Sequence, residues 1–405
     1  MSGTHYDYVI VGGGMAASAV VDGIRAVDRT GTIGILSRED YEPYSRPGLS
    51  KALWRKPDMT IADLFMSGPA VEGVTFVSGA NVVRLDRDAK VVTCADGRQF
   101  GYTKLVLAMS GEATTGGIDA GERIRHYRDL DDYQAIRAIA EDGGHVVVAG
   151  DGFIGIEMAA VLADSPARVT WVFEHELPGS TRFPKEIAAH LSREFRSRGV
   201  TFVHPARIAS AYEDDKTVTV TLEDGRQITA DALVTGLGLA LPLDWVAEAG
   251  ITVDDGVRVD EHWRTNDPDI YAAGDIANVP CPIVGHRRIE HKDAALTGGE
   301  AAGRNVAGQP TTDEHIPFFY SFIFDDAYEA LGITDAEGPH IVDWIEPGHS
   351  AVVYYQDAEG LLEGVLLWNL PANDDWDPKQ AAEALLKVRE PYAEDQLRGA
   401  IHRPW

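Results

Sequence analysis

Residues 6–17 are Tyr6-Asp7-Tyr8-Val9-Ile10-Val11-Gly12-Gly13-Gly14-Met15-Ala16-Ala17, an apolar and β-rich run that passes directly into a glycine turn. The chain continues as an Ala- and Val-rich helical pattern to Arg25, and a second β-rich run follows at residues 32–36. This order predicts a strand, a tight turn, a helix and a parallel strand, which together form one βαβ unit.

A second copy of the pattern lies far downstream. Residues 145–149 form an apolar run that leads into the glycine turn at residues 150–155, a helical pattern and another β-rich run at residues 168–173. The repeat extends further, because residues 90–98 and 217–226 both have the pattern of a strand that enters an Asp-Gly hairpin turn. The sequence therefore predicts two related βαβ domains.

The last part of the chain has a different pattern. Aromatic and β-branched runs at residues 318–324, 351–355 and 361–367 favour an antiparallel sheet, and a helix is expected from Pro378 to about Arg389. We therefore predict an α/β protein with two Rossmann-like dinucleotide-binding domains and a C-terminal α+β domain. The predicted boundaries are residues 1–116 and 241–312 for the discontinuous first domain, 117–240 for the second and 313–405 for the third.

Composition excludes several classes of partner. The 405 residues include 64 acidic and 36 basic side chains, and the net charge of −28 makes nucleic acid or an anionic membrane a poor partner. Cys94 and Cys281 stand far apart and the histidines lack metal-like spacing, so we predict no metal site. No apolar run approaches the ~18 residues of a membrane helix, and the N-terminal residues lack a signal-peptide pattern. We therefore expect a cytoplasmic protein.

Each glycine turn has the residues that a dinucleotide requires. Gly12 permits the tight turn, Gly14 lets the backbone approach a pyrophosphate, and Ala17 lets the helix pack close to the strand. In the second copy the same roles fall to Gly150, Gly152 and Gly155. Two purely structural turns are the alternative, but both copies lie in a complete βαβ context, so we favour two bound dinucleotides.

Acidic residues follow the second strand of each unit, where a carboxylate would bind ribose hydroxyls. The first unit has Arg38 and Glu39 there, and the second has Glu174 and His175. An acid at this position favours NADH over NADPH, whose extra phosphate it would repel. A third signal is Asp275, which ends the apolar stretch at residues 270–275 and would lie at the carboxyl edge of a sheet, where it could bind a polyol chain.

Taken in order, these motifs resemble the two-dinucleotide flavoprotein reductases, and within them the branch that holds the NADH:ferredoxin reductases and apoptosis-inducing factor. The resemblance rests on the glycine turns, residues 43–51, residues 150–157 and residues 272–275, and it covers nearly the whole chain. Residues 287–293 and 327–332 are more similar to apoptosis-inducing factor than to a standard ferredoxin reductase. The resemblance implies an FAD-dependent oxidoreductase that oxidises NADH and then reduces a second acceptor.

The resemblance also implies which residues contact the two cofactors. For FAD they are Gly12, Gly14, Met15, Ala17, Arg38, Glu39, Arg46, Lys51, Val83, Ala108, Arg128, Asp275, Glu290, His291 and Phe324. For NADH they are Gly150, Gly152, Phe153, Ile154, Gly155, Glu157, Glu174, His175, Gly238 and Glu329. Lys51, Glu157, His291 and Phe324 are the implied catalytic residues.

Lys51 and Glu157 match a lysine–glutamate pair that lies beside the flavin ring in this family. An ammonium there would stabilise the anionic reduced flavin, and the carboxylate would keep that ammonium charged in a partly dry site. The alternative is that they are two unrelated surface residues, and we favour the pair because each occupies a motif position.

Three positions depart from the family pattern. Arg38 replaces the first residue of an acid pair, so ribose binding would shift to Glu39. Residues 108–111, Ala-Met-Ser-Gly, replace Ala-Thr-Gly, and Phe324 stands where the family has a tryptophan near the flavin. Phe324 keeps a stacking surface but lacks the indole N–H. Its four neighbours Phe318, Phe319, Tyr320 and Phe322 are expected in the core.

The electron acceptor is left with three hypotheses. It is oxygen, a quinone or another small molecule; or it is a ferredoxin or similar iron–sulfur protein; or the protein senses NADH through a long-lived charge-transfer complex that changes its oligomeric state, in which case a homodimer is a possible assembly. The acid excess counts against an acidic ferredoxin, for which Arg287, Arg288, Lys292 and Arg304 are the densest docking candidates. The resemblance around Glu290, His291 and Glu329 favours the first and third hypotheses.

Overall fold

The computed structural model describes residues 4–66, 68, 71–281, 283, 285–312, 315–370, 372–373 and 376–401. Its helices are α1 Met15–Val27, α2 Ala52–Arg55, α3 Leu130–Glu141, α4 Phe153–Ala163, α5 Lys185–Ser197, α6 Asp244–Glu248, α7 Lys292–Val306, α8 Pro378–Val388 and α9 Glu394–Leu397. Short 3₁₀ turns occupy Arg46–Gly48, Ile61–Leu64 and Gly274–Ile276.

The strands are numbered along the chain from β1 to β26. They are β1 Thr4–Val11, β2 Ile33–Leu36, β3 Val74–Val77, β4 Val82–Asp86, β5 Val91–Cys94, β6 Gln99–Leu107, β7 Glu112–Ala113, β8 Ile124–Arg125, β9 His145–Ala149, β10 Arg168–Val172, β11 Thr201–Val203, β12 Ile208–Glu213, β13 Val218–Leu222, β14 Gln227–Ala230, β15 Ala232–Thr235, β16 Leu239–Ala240, β17 Val253–Asp254, β18 Gly256–Arg258, β19 Ile270–Ala272, β20 Ala277–Cys281, β21 Gly285–Arg288, β22 Phe318–Ile323, β23 Asp326–Gly332, β24 His340–Glu346, β25 Ser350–Gln356 and β26 Leu362–Trp368.

The chain divides into two compact units, each built from three segments. Unit 1 contains Met1–Arg46, Thr60–Glu112 and Leu241–Phe319, and unit 2 contains Pro47–Met59, Ala113–Ala240 and Tyr320–Trp405. Each unit contains one of the two predicted βαβ motifs. Residues 320–405 belong to the same unit as residues 113–240, and the three-domain boundaries stay a prediction.

Unit 1 is built on a seven-stranded sheet in the order β3-β2-β1-β6-β5-β4, with β19 also paired to β6. Strands β1, β2, β3, β6 and β19 run parallel, so their carboxyl ends share one edge. At that edge Val11 is in register with both Leu36 and Leu107. The loops that follow these strands are thereby gathered at one place, as expected for a doubly wound sheet.

Close contact between α1 and α7 covers this sheet on one side. A Cβ atom on Gly23 would lie 2.1 Å from the carbonyl oxygen of Glu300, and one on Gly303 would lie 2.3 Å from that of Val20. Only residues without a side chain permit this approach of the two helix backbones. The helices and the sheet enclose an apolar core that includes Ile10 and Ile35, both with no solvent-exposed surface.

Unit 2 contains both parallel and antiparallel sheets. Strands β11-β10-β9-β15-β8 form a parallel sheet, and β22-β23-β26-β25-β24 form an antiparallel sheet. A three-stranded antiparallel sheet of β12, β13 and β14 adds the second predicted hairpin. The predicted fold class, the two hairpins and the helix that begins at Pro378 are all present.

The aromatic side chains of β22 are expected in the core, and this prediction is wrong for Tyr320 and Phe322. Tyr320 is 46% exposed and Phe322 44% exposed, whereas their neighbours Ser321 and Ile323 are buried. Successive side chains of a strand point to opposite faces, so only every second residue of the run faces the core. Among the described residues, no helix combines the length and apolar character needed to cross a membrane.

Candidate functional site

The first glycine turn joins β1 to α1 at the carboxyl edge of the unit 1 sheet. Gly12 has a φ of 118°, and a Cβ there would lie 2.3 Å from the carbonyl oxygen of Ala108, the residue that follows β6. Gly13 is equally confined, because its Cβ would lie 2.3 Å from Oγ of Ser37. The turn therefore needs glycine for conformation at Gly12 and for space at both positions.

Gly14 differs from its neighbours, because a Cβ on it would meet no atom within 4 Å. It is the N-cap of α1, and no side chain caps the first turn of this helix. The first N–H groups of a helix have no intrahelical partner. In α1 no side chain caps them, and the space at the Cβ position of Gly14 is open to a ligand. Ala17 of the same turn is fully buried against the sheet. This arrangement fits the pyrophosphate of a dinucleotide.

The predicted acid of this unit is tied to basic and phenolic partners. Glu39 Oε2 accepts a hydrogen bond of 2.7 Å from the hydroxyl of Tyr44, and its other oxygen forms an ion pair with Arg46. Burial, the largest single effect, acts to raise the pKa of Glu39, but Arg46, Tyr44 and Arg38 together lower the pKa below its usual range. Arg38 points instead to Glu112, with which it forms an ion pair. Glu39 is thus an ionised acceptor at this edge, and its contact with a ribose stays a prediction.

Asp275 lies where the apolar strand β19 ends, at the same carboxyl edge of the sheet. Its carboxylate accepts a hydrogen bond from the hydroxyl of Ser110, and its carbonyl oxygen accepts one of 3.1 Å from Arg288. Ser110 belongs to the segment that departs from the family pattern. The altered residue therefore orients the acid that follows β19.

The other FAD residues predicted in unit 1 lie outside the glycine turn. Val83, on β4, is 43% exposed. Glu290 accepts a hydrogen bond of 2.5 Å from Arg288. His291 caps the start of α7, and its ring stacks on Phe319 with ring centres 4.2 Å apart.

The second glycine turn repeats the geometry of the first in unit 2. Gly150 has a φ of 95°, and a Cβ there would lie 2.5 Å from the carbonyl oxygen of Gly236. A Cβ on Gly155 would lie 2.0 Å from the carbonyl oxygen of Gly150. Gly152, the uncapped N-cap of α4, has no atom within 4 Å of its Cβ position. The turn thus fits a second pyrophosphate.

The residues around this second turn are held by their own contacts. The guanidinium of Arg182 lies over the ring of Phe153, 5.0 Å from its centre. Ile154 is 36% exposed at the start of α4. Gly238 has a φ of 98° and open space at its Cβ position, and its carbonyl oxygen accepts a hydrogen bond of 2.9 Å from the Thr114 amide.

Two ion pairs follow the end of β10. Glu174 Oε2 lies 2.5 Å from Nη2 of Arg207, and His175 Nδ1 lies 2.8 Å from Oδ2 of Asp151, the residue inside the glycine turn. Asp151 is buried, whereas Glu174 and Arg207 are both exposed. The sequence predicts Glu174 and His175 at this tip, but it does not predict their partners.

The predicted pairing of Lys51 with Glu157 is present in unit 2. Lys51 Nζ lies 2.6 Å from Oε1 of Glu157, which projects from α4 and is only 5% exposed. Two serines complete this group: Ser50 donates to Oε2 at 2.5 Å and Ser321 donates to Oε1 at 2.6 Å. We call Ser50, Lys51, Glu157 and Ser321 the Glu157 cluster. One ammonium and two hydroxyls satisfy its buried carboxylate, so the charge is compensated on all sides.

Sequence reasoning missed the two serines. Ser50 immediately precedes the motif lysine, and that adjacency is a signal that could have been used. Ser321 lies 164 residues from Glu157 within a run of aromatic residues. No local pattern connects it to the cluster, and only the alternation of β22 places its hydroxyl on the buried side.

Phe324 is a buried residue of unit 2. Its side chain is 2% exposed, its ring centre lies 4.8 Å from that of Phe195, and the guanidinium of Arg198 lies 4.1 Å from its ring centre. Its carbonyl oxygen accepts a hydrogen bond from Arg55. Its ring therefore packs among these side chains in the core of unit 2, and its role beside the flavin stays a prediction.

The two remaining predicted residues are also in unit 2. The amide of Arg128 donates to Oδ2 of Asp132 at 2.8 Å, in the turn that begins α3. Glu329 is half-buried on β23, and burial raises the pKa of its carboxyl above the usual value, although Lys379 acts in the opposite direction. Their roles toward the nucleotides stay predictions.

Comparisons with known proteins agree with this arrangement. The profile of the family described as pyridine nucleotide-disulphide oxidoreductase matches residues 6–299. The ferredoxin–NAD(+) reductase component of the anthranilate 1,2-dioxygenase system of Burkholderia cepacia is 32% identical over 338 residues, which are 81% of this chain and 82% of that protein. The putative apoptosis-inducing factor 1 of Drosophila melanogaster is 27% identical over 394 residues, 86% of this chain, and the chain spans 52% of that protein's length.

A solved structure is similar over almost the whole chain. The covalent putidaredoxin reductase–putidaredoxin complex contains a chain that matches with a TM-score of 0.86 and 26% identity, covering 98% of this chain and 96% of that one. The predicted cofactor pair of FAD and a nicotinamide nucleotide is confirmed at the level of the family. The two glycine cradles, the Lys51–Glu157 pair and the match over residues 6–299 thus place this chain in the pyridine nucleotide-disulphide oxidoreductase family, as an FAD-dependent NAD(P)H oxidoreductase.

Proposed function

We propose that the protein oxidises NADH in preference to NADPH and passes the electrons to a small-molecule acceptor such as oxygen or a quinone. The observation that carries this proposal is that the chain has two similar glycine turns, which we call cradles. Gly14 and Gly152 are the N-cap residues of α1 and α4, neither helix has a side-chain cap, and the space where a side chain would project is open at both glycines. A chain with two such cradles has one for a bound dinucleotide cofactor and one for a dinucleotide substrate.

FAD, when bound, supplies the two-electron redox chemistry. In our proposal the unit 1 cradle binds its pyrophosphate, Glu39 accepts hydrogen bonds from its ribose, and Asp275 does the same for the polyol chain. Lys51 supplies a positive charge that stabilises the reduced flavin. Glu157 pairs with that charge, because its buried carboxylate lies 2.6 Å from Nζ of Lys51. Ser50 and Ser321 hold that carboxylate in position.

The preference for NADH rests on the acid that follows β10. Glu174 is the hydrogen-bond acceptor that a ribose 2′-hydroxyl needs, and its charge opposes a 2′-phosphate. The strand β10 is paired in register with β9, which leads into the second glycine turn. This register supports a position for Glu174 beside the adenosine ribose.

Charge supports a small molecule over a protein as the acceptor. The net charge is −28, and two of the four basic residues best suited to dock an acidic partner, Arg288 and Arg304, are already paired with acids. Arg288 lies 2.7 Å from Asp255 and 2.5 Å from Glu290, and Arg304 lies 2.8 Å from Glu300. An acidic iron–sulfur protein would meet few uncompensated positive charges here.

An iron–sulfur protein is nevertheless the second candidate, because two relatives point to it. The Burkholderia cepacia protein is named as a ferredoxin–NAD(+) reductase component, and the solved structure holds a reductase joined to putidaredoxin. These names describe those proteins. They support a protein acceptor for this chain only if a docking surface compensates for its acidity.

Rapid-mixing experiments separate these proposals. The FAD-loaded protein is mixed with NADH or NADPH without oxygen, flavin absorbance is followed, and the reduced protein is then mixed with oxygen, a benzoquinone or a ferredoxin. Faster reduction by NADH and fast reoxidation by oxygen or quinone are expected. Fast reoxidation by ferredoxin alone would establish the second candidate, and slow reoxidation by all three with a persistent long-wavelength band would favour NADH sensing.

The proposal includes a cytoplasmic location. The two cysteines, Cys94 and Cys281, are both free and buried. Free thiols of this kind are typical of proteins in reducing compartments.

A further inference from the structure

The loops that follow β9, β10 and β11 lie side by side in unit 2. Val172 at the end of β10 is in register with Ala149 on β9 and with Val203 on β11. The Gly150 amide donates to the carbonyl of Val172 at 3.0 Å, and the Ala206 amide donates to that of Phe173 at 2.8 Å. The second glycine turn, Glu174 and Arg207 are therefore neighbours at one sheet edge.

At this edge Glu174, the acid that would select NADH, already forms an ion pair with Arg207. Nη2 of Arg207 donates to Oε2 of Glu174 at 2.5 Å, and the two side chains are 62% and 46% exposed. An exposed ion pair of this kind contributes only about 0–1 kcal/mol, so either partner can exchange it for a ligand at little cost.

NADH and NADPH differ in the group that they would bring to Glu174 and Arg207. The ribose 2′-hydroxyl of NADH donates a hydrogen bond and needs a carboxylate, whereas the 2′-phosphate of NADPH accepts hydrogen bonds and needs a guanidinium. The second polar contact at the edge, His175 with Asp151, is engaged on its own at 2.8 Å. Glu174 and Arg207 thus offer one group for each coenzyme.

We infer that Arg207 is a specificity-determining residue that moderates the NADH preference. When NADH binds, Glu174 accepts from the ribose hydroxyls and Arg207 moves to solvent. When NADPH binds, Arg207 leaves Glu174 and binds the 2′-phosphate. The protein therefore accepts both coenzymes, and the two members of the ion pair set the ratio of their affinities. This inference rests on the proposed function, because it requires the nicotinamide nucleotide to bind at the second glycine turn.

The test measures dissociation constants of NAD⁺ and NADP⁺ by titration calorimetry with the FAD-loaded protein. Loss of a charge-assisted hydrogen bond predicts that Arg207→Ala raises the ratio of the NADP⁺ constant to the NAD⁺ constant by about 10-fold or more. Glu174→Gln should lower that ratio by a similar factor, because it removes the negative charge that strengthens the hydrogen bonds from ribose and that holds Arg207.

Arg226→Ala is the matched control. Arg226 also forms an exposed ion pair, 2.7 Å from Asp224 in the β13–β14 turn, and its removal should leave the ratio unchanged. If Arg207→Ala leaves the ratio unchanged or weakens both nucleotides equally, the inference is wrong while the proposed function stands. If Gly152→Ala does not weaken either nucleotide, binding at the second turn is wrong and the inference falls with it.

Discussion

Nζ of Lys51 lies 2.6 Å from Oε1 of Glu157, although the two residues are more than a hundred positions apart in the chain. Glu157 is 5% exposed, and its carboxylate also accepts hydrogen bonds from Ser50 and Ser321. Removing any one donor from a buried carboxylate costs free energy of folding. The contribution of each donor in the Glu157 cluster can therefore be measured with a single substitution.

Replacing Lys51 with methionine removes the positive charge and keeps a side chain of similar length. We expect Lys51→Met to retain FAD and to be reduced by NADH more slowly by a factor on the order of 10 to 100, as when one electrostatic stabiliser is removed from an active site. Stopped-flow absorbance of the flavin measures the rate. Lys56→Met, at an exposed lysine, is the control. An unchanged rate and an unchanged reduction potential would remove Lys51 from the mechanism.

Ser321→Ala removes one donor from the buried carboxylate. Because Glu157 then loses a hydrogen bond without gaining contact with water, we expect the free energy of unfolding to fall by about 1–2 kcal/mol. We also expect a shift in the reduction potential of bound flavin, because the charge balance of Lys51 and Glu157 changes. Ser210→Ala, at an exposed serine of β12, should change neither quantity. A loss of stability with no change in potential would show that Ser321 supports the fold alone.

The two open cradles predict reciprocal binding defects. A methyl group on Gly14 or Gly152 meets no protein atom within 4 Å, so both alanine variants should fold normally. Gly14→Ala should lower the affinity for FAD by about 10-fold or more, because the methyl group fills the space that the pyrophosphate needs. Gly152→Ala should retain FAD and lose affinity for the nicotinamide nucleotide to a similar extent.

These affinities can be measured by fluorescence titration of the apoprotein with FAD and by calorimetry with NAD⁺. Gly12→Ala gives the contrasting case. Its φ of 118° and the carbonyl of Ala108 at 2.3 Å from the added Cβ predict a loss of folded protein. If Gly14→Ala instead weakened NAD⁺ and spared FAD, the assignment of the two cradles would have to be exchanged.

His190 makes part of the stability of unit 2 depend on pH. Its Nε2 lies 2.7 Å from Oδ2 of Asp326, and this hydrogen bond raises the pKa of His190 above its usual value, although burial acts in the opposite direction. The contribution of the pair is therefore fully present below about pH 6.5, the pKa of an unfolded histidine, and is lost as the pH rises through the raised pKa.

We expect the free energy of unfolding to fall by about 1 kcal/mol through this transition, the net size of one typical hydrogen bond, because burial of His190 opposes the stronger bond to a charged group. Urea unfolding at pH 5.5 and pH 8.5 measures it. His190→Asn should abolish this part of the pH dependence, whereas His349→Asn, at an exposed histidine, should preserve it. Equal pH dependence in the His190 variant and the parent protein would contradict the assignment.

The parts of the fold that the sequence predicts are those set by local pattern. The strand, glycine turn and helix at residues 6–17 and again at residues 145–162 are present because period-2 and period-3.6 apolar patterns and glycine turns act over short range. The pairing of Lys51 with Glu157 is also predictable, since each residue lies in a motif whose place in the fold is known from the family.

The parts that the sequence does not predict depend on distant chain segments. Ser321 reaches Glu157 only because β22 alternates, and the same alternation exposes Tyr320 and Phe322. Arg207 reaches Glu174 through the register of β10 with β11. Phe324 fits the aromatic pattern of a cofactor contact, but packing with Phe195 and Arg198 decides its place.

The Glu157 cluster also has an order of assembly. Lys51 comes from Pro47–Met59, Glu157 from Ala113–Ala240 and Ser321 from Tyr320–Trp405. On the ribosome, where domains fold as the chain emerges, Glu157 is made well before the serine that completes its shell. We expect the carboxylate to stay in water until the last segment arrives, because burying it earlier would leave an acceptor without a donor. On this expectation Glu157 becomes buried late in biogenesis. Its burial requires that the third segment of unit 2 has been translated and has packed against the other two segments.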